Sequence, residues 1–230
     1  MTKIFLDAGH GGKDFGAIGN GISEKNIVLS IVTKINDYLN SYKNVETMLS
    51  RSKDAYLSLD QRTDQANQWG ADAFLSVHIN SATDQSARGF ETYIYPTSGA
   101  DTISFQNVMH EEITKQISSY LGFRDRGKKR SNFHVLRESN MKALLTENLF
   151  ISNIADVTLL KTDQYLSSIA LGHAIGLEKF FGLERIDPTP NNNSTVFQVV
   201  AGSFTEYTNA QKKVEELKKD GHESFIQEKH

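Results

Sequence analysis

Along roughly the first 180 residues, short apolar runs alternate with longer stretches whose apolar residues recur at helical spacing. Few folds accommodate that rhythm: a sheet forms from the runs, and the helices between them cover it on both sides. The chain therefore reads as α/β, with a mixed central sheet of about six strands flanked by helices on both faces. Strands are expected at 3–8, 45–50, 73–78, 89–95, 134–136 and 143–147. Helices are expected from about Glu24, where Ile27, Ile31, Ile35 and Leu39 share one face, and at 58–69, 101–121, 154–160 and 165–181.

Several of these runs end in residues that carry chemistry. His10 follows the run Ile4-Phe5-Leu6-Asp7-Ala8-Gly9, His78 closes Leu75-Ser76-Val77, and Glu147 closes Ala143-Leu144-Leu145-Thr146. Open α/β sheets present functional groups at the carboxyl ends of their strands. Glu24, placed in the first turn of its helix, could join them or simply complement the helix dipole. The chain has no Cys, so a metal site would need imidazole and carboxylate ligands. Two His and one Glu leave one of zinc's four positions open, as in hydrolytic rather than structural sites. Asn80 shares a strand face with His78 and is a candidate substrate contact. Arg62 is a weaker one, since holding its helix to a neighbour would occupy it equally well. Gly9, Gly11 and Gly12 lack the order of a phosphate-binding loop and read as backbone room beside the histidines. The 128–130 run Lys-Lys-Arg reads as a solvated loop.

These segments together resemble the zinc-dependent N-acetylmuramoyl-L-alanine amidases, in particular the sporulation and phage types. The resemblance rests on His10-Gly11-Gly12 after a strand, Glu24, Ser76-Val77-His78-Ile79-Asn80, and Leu145-Thr146-Glu147-Asn148-Leu149-Phe150. It implies one zinc (Zn2+) per chain held by His10, Glu24 and His78, Glu147 as the catalytic acid/base, and peptidoglycan as substrate. Other readings are a zinc peptidase acting on the stem peptide and a non-catalytic wall-binding protein. A formal charge of -3 gives no cationic excess for binding nucleic acid, and no apolar run suggests membrane insertion. The opening Met1-Thr2-Lys3 lacks a secretory signal pattern. A chain made in the cytoplasm would then reach the wall after lysis or holin-type release.

The expected organisation is a catalytic domain at 1–183, a proline-bearing polar linker at 184–195, and a small βαβ segment at 196–230. The segment resembles half of a SPOR (sporulation-related repeat) module, a glycan-binding fold, through Phe197-Gln198-Val199-Val200-Ala201-Gly202-Ser203-Phe204 and the helix after it. About 35 residues cannot bury a core of their own. Two chains could join their halves as a homodimer with a shared wall-binding unit.

Overall fold

A computed structural model describes residues 1–186, 202–219 and 226. The chain divides into two compact units, Met1–Asp187 and Pro188–His230.

In the first unit the alternation becomes a three-layer α/β arrangement. Its sheet strands are β1 (Thr2–Ala8), β5 (Val45–Leu49), β6 (Ala73–Asn80), β7 (Phe90–Ile94), β8 (Asp125–Arg130) and β9 (Lys142–Phe150). Short pairs are formed by β2 (Ile18–Gly19) with β3 (Ile22–Ser23), and by β4 (Tyr42–Lys43) with β10 (Glu184–Arg185). The helices are α1 (Glu24–Leu39), α2 (Leu59–Trp69), α3 (Ala100–Ile117), α4 (His134–Arg137), α5 (Ile154–Leu160) and α6 (Asp163–Phe181). The sheet order is β5-β1-β6-β9-β7-β8. The first four strands run parallel, β7 lies antiparallel to β9, and β8 is parallel to β7. The six strands and two helical layers bear out the α/β expectation.

Alternation along the strands separates two cores. Ile4, Leu6, Leu75, Val77 and Leu144 face the layer that includes α1, α3 and α6, where Val28, Ile31, Ile35, Met109 and Leu177 are buried with them. Phe5, Phe74, Ala143 and Leu145 face the other side with Ala66 of α2 and Val135 and Leu136 of α4. The rings of Phe5 and Phe74 stack at 5.3 Å. This second face also carries Asp7, His78 and Glu147 nearer the strand ends, at positions of the same alternation.

Two expectations need correction. Residues 134–136 form the helical turn α4 rather than a strand. Val135 and Leu136 are both buried in the same small core, which consecutive strand residues, facing opposite sides, could not be. The sixth strand is instead β8, whose Lys128, Lys129 and Arg130 were expected in a loop. It lies at the sheet's edge, where charged side chains are tolerated and block further pairing.

In the second unit, α7 (Tyr207–Lys219) agrees with the helix expected there. Of the two strands of the expected βαβ segment, 197–201 of the first lie outside the described residues and 202–204 are not in a strand, and of the residues after α7 only 226 is described. Among the described residues, no helix is long and apolar enough to cross a membrane.

Candidate metal centre and its catalytic neighbours

The topology sets β1, β6 and β9 side by side, so their parallel carboxyl ends meet at one edge. His10 lies just past the end of β1, and β6 and β9 hold His78 and Glu147 in direct register. Glu24 enters from the first turn of α1. One ligand atom from each of His10, Glu24 and His78 falls within 4.8 Å of the others.

Glu24 is held from several sides. One carboxylate oxygen accepts the Ile79 backbone N–H at 3.0 Å and lies 2.9 Å from His78 Nδ1. The other accepts the Ala17 N–H at 2.8 Å and lies 3.2 Å from His10 Nε2. Burial alone would raise this carboxyl's pKa, but the hydrogen bonds from His10 and His78 outweigh it and hold Glu24 well below the usual carboxylate range. His10 has a second carboxylate partner, with Nδ1 2.9 Å from Asp14 Oδ2. An Asp that accepts a hydrogen bond from Nδ1–H leaves the Nε2 lone pair directed toward the centre, the usual outer support of a metal-binding imidazole.

The backbone here admits no bulk. A Cβ on Gly9 would come within 2.3 Å of the His78 ring, and one on Gly16 within 2.6 Å of Glu24 Oε2 and His10 Cδ2. The donor set, the Asp14 support and this cradle fit a zinc ion with an open fourth position.

Below the cradle, Arg62 is directed inward. Its guanidinium lies 2.6 Å from Asp7 Oδ1 and donates to the carbonyls of Ala8 and His10 at 2.7 and 2.6 Å. Both side chains are almost fully buried, at 3% and 1% exposure, and Ser76 donates to the other Asp7 oxygen at 2.8 Å. A capping box starts α2, with the Ser58 side chain accepting from Gln61 N–H and the Gln61 side chain accepting from Ser58 N–H. That fixes the helix that carries Arg62. Arg51 adds hydrogen bonds to the carbonyls of Ala8 and Gly9. The two arginines brace the loop in which His10 takes a left-handed conformation, φ 61°. Replacing Arg62 with Met removes one half of a buried ion pair and is expected to cost ~3–5 kcal/mol. Urea unfolding would measure it, and a loss below about 1 kcal/mol would contradict this bracing role.

Glu147 lies at the wall of a cavity of about 280 Å³ that is also lined by His10, His78, Tyr56, Phe133 and His134. Among the described residues its Oε2 is enclosed and has no hydrogen-bond partner. Burial, reinforced by the charges of Glu24 and Glu91, raises its pKa well above the ordinary value. Immediately after Glu147 the register with β6 slips, from His78 opposite Glu147 to Asn80 opposite Phe150, and Leu149 takes φ 74°. This bulge ends the regular ladder next to the carboxylate.

Asn80 is turned toward β7, donating from Nδ2 to Glu91 Oε1 at 2.7 Å. Sequence reasoning had assigned Glu91 no role. It is buried, faces Glu147 across the antiparallel pair β7–β9, and binds Tyr93 Oη, Arg126 Nε and Lys129 Nζ. As the lone charged residue within an apolar strand run, Glu91 was the available signal. His110 is hydrogen-bonded to Thr92 and Asp125, and His173 to Thr146 and the Ile169 carbonyl. Both are structural.

A model of the family described as N-acetylmuramoyl-L-alanine amidase matches residues 4–179. The sporulation-specific N-acetylmuramoyl-L-alanine amidase of Bacillus subtilis is 45% identical over 227 residues, 98% of this chain and 84% of that protein. An endolysin of Bacillus phage SPP1 is 46% identical over 188 residues, covering 80% of this chain and 68% of the endolysin. Among solved structures, the catalytic domain of CwlV, an amidase of Bacillus (Paenibacillus) polymyxa var. colistinus, superposes with a TM-score of 0.74 at 34% identity. That match covers 79% of this chain and 99% of CwlV's domain.

Proposed function

The chain belongs to the N-acetylmuramoyl-L-alanine amidase family, and from that premise we propose that His10, Glu24 and His78 hold a zinc ion while Glu147 moves the proton. The reaction is hydrolysis of the amide joining N-acetylmuramic acid to L-alanine in peptidoglycan. The observation that carries the residue assignment is the meeting of three ligand atoms within 4.8 Å, with Glu147 opposite His78 in the strand register.

Zinc, when bound, supplies a Lewis acid for the amide carbonyl and makes water acidic enough to attack near neutral pH. The rest falls to the side chains. Glu147 accepts the proton of the attacking water at Oε2 and returns it to the alanine nitrogen as the C–N bond breaks. Its enclosure and negative neighbours suit both tasks, because a raised pKa brings a carboxylate closer to the operating pH. Asp14 holds His10 in the tautomer that directs Nε2 inward, and Arg62 keeps the His10 loop in place. Asn80 acts through Glu91 as a positioning residue.

Digestion of purified peptidoglycan followed by mass spectrometry tests the reaction. Released peptides are expected to begin with free L-alanine. Cleavage within the stem peptide would mean a peptidase, and no release would mean a wall-binding protein.

The similarity to a phage endolysin supports action on the wall after lysis. The chain's alignment with the sporulation amidase extends over 98% of its length, which supports a functional tail. Joining of two tails into one wall-binding unit would appear in light scattering as a dimer that is lost on truncation after Ile186. A monomeric intact chain would dismiss it.

A further inference from the structure

Beside the metal centre, polar groups follow one another across β6, β9, β7 and β8, with a step of two residues along β7. His78 of β6 is in register with Glu147 of β9, Glu147 with Glu91 of β7, and Tyr93 of β7 with Lys129 of β8. Arg126 and Lys129 both reach back to one Glu91 oxygen. The series ends in two cations that share a single buried carboxylate. Glu91 is 2% exposed, while Arg126 and Lys129 are 29% and 34% exposed. Glu91 is also bound by Asn80 and Tyr93, so its position is fixed from three strands. Burial alone would raise its pKa, but bonding to Lys129, Tyr93 and Arg126 outweighs this and keeps it ionised. Counted against Glu91 alone, the Arg126–Lys129 pair carries one positive charge more, and Arg126 also lies within electrostatic reach of Asp156.

Arg126 is suited to display that charge. Its Nε is bonded to Glu91 at 2.7 Å, and its guanidinium lies 4.8 Å from the centre of the Phe150 ring. Among the described residues its two Nη groups make no hydrogen bond. A guanidinium held along one edge and stacked on an aromatic ring is pre-ordered, with its remaining donors matched to a carboxylate. A partly exposed Lys129 beside it adds charge.

Resting on the amidase reading above, we propose that Arg126 and Lys129, anchored by Glu91, form a specificity subsite for the free α-carboxylate of the second, acidic residue of the peptidoglycan stem. The spacing agrees. Adjacent strands lie ~4.8 Å apart, so β8 is about 10 Å from β9. An extended peptide advances ~3.3–3.6 Å per residue, which carries the second stem residue from the Glu147 position to the span between β7 and β8. The anionic neighbours Glu147 and Glu91 would repel such a carboxylate without the two cations. The subsite thus sets the direction of the stem across the sheet, away from the metal centre and toward β8.

Two muramoyl tripeptides with C-terminal amides distinguish the outcomes, one carrying the α-carboxylate at its second residue and the other an α-amide. With the full chain loaded with zinc, kcat/KM is expected to favour the acid by about tenfold or more. In Arg126→Gln that ratio is expected to fall toward one. Should Arg126→Gln not fold, Lys129→Gln reports the same ratio, and a ratio taken within one protein is insensitive to loss of total active enzyme. Equal cleavage of both substrates by the wild type would overturn the subsite and leave the amidase reading intact. A preference that survives in the folded variant would also overturn it. Cleavage of neither substrate would remove the amidase reading itself, and the subsite with it.

Discussion

Glu147→Gln is expected to lower the rate of wall hydrolysis by ~10²–10⁴-fold while leaving the protein as stable as before or more so. Glutamine preserves the shape that fills the cavity wall but can neither accept the proton of water nor return it to the leaving nitrogen. The stability effect has the opposite sign. A carboxyl whose pKa is raised by folding binds its proton more tightly in the folded than in the unfolded chain. Above the ordinary carboxylate range the unfolded chain is therefore relatively favoured, so the ionised group weakens the fold at neutral pH. Removing the charge relieves that strain, a trade of stability for function. Dye release from labelled walls by the zinc-loaded protein and thermal melting of the metal-free protein at pH 7 would read the two effects. More than about a tenth of wild-type activity in Glu147→Gln would rule the residue out as the proton carrier, and a sharply lowered melting temperature would contradict the electrostatic argument.

Removal of divalent metal by a chelator is expected to abolish hydrolysis, by ~10³-fold or more against the scale of known enzymatic accelerations, with recovery when zinc is restored. The fold should survive. Ile4, Phe5, Leu6, Phe74 and Leu75 are fully buried without reference to the centre, and the Ala17 and Ile79 N–H groups orient Glu24 independently. This differs from small zinc domains, in which metal binding is the folding energy. The melting temperature should rise with added zinc, since a ligand bound only by the native state stabilises it by mass action. Circular dichroism and melting of chelated and restored protein would check this. Full activity after exhaustive chelation would eliminate the zinc assignment, and unfolding on chelation would eliminate the preformed cradle.

Much of this architecture was legible because β1, β6 and β9 are buried on both sides and leave dense apolar runs that end at polar residues. His10, His78 and Glu147 stood out for the same reason. Glu24 was legible through the helix it begins. β8 was not, because an edge strand needs no apolar run and its Arg126, Lys128, Lys129 and Arg130 look like a solvated loop. The brevity of α4 hid it, since four residues hold no helical period. Arg62 was visible as a charged residue on a helix, but whether it points to substrate or to Asp7 depends on how α2 lies against β1. The importance of Glu91 was least accessible. It arises from facing Glu147 across two strands more than fifty residues apart in sequence, a register set by the tertiary fold rather than by any local pattern.

The reversal of direction at β7 has a consequence for variation. The metal-side half of the working edge is built where β1, β6 and β9 finish, whereas the other half is built where β7 and β8 begin. The segments 81–89 and 118–124 that lead into those two strands therefore open onto the same edge without carrying His10, Glu24, His78 or Glu147. Either segment can therefore change in length or charge without altering the four residues of the proposed site.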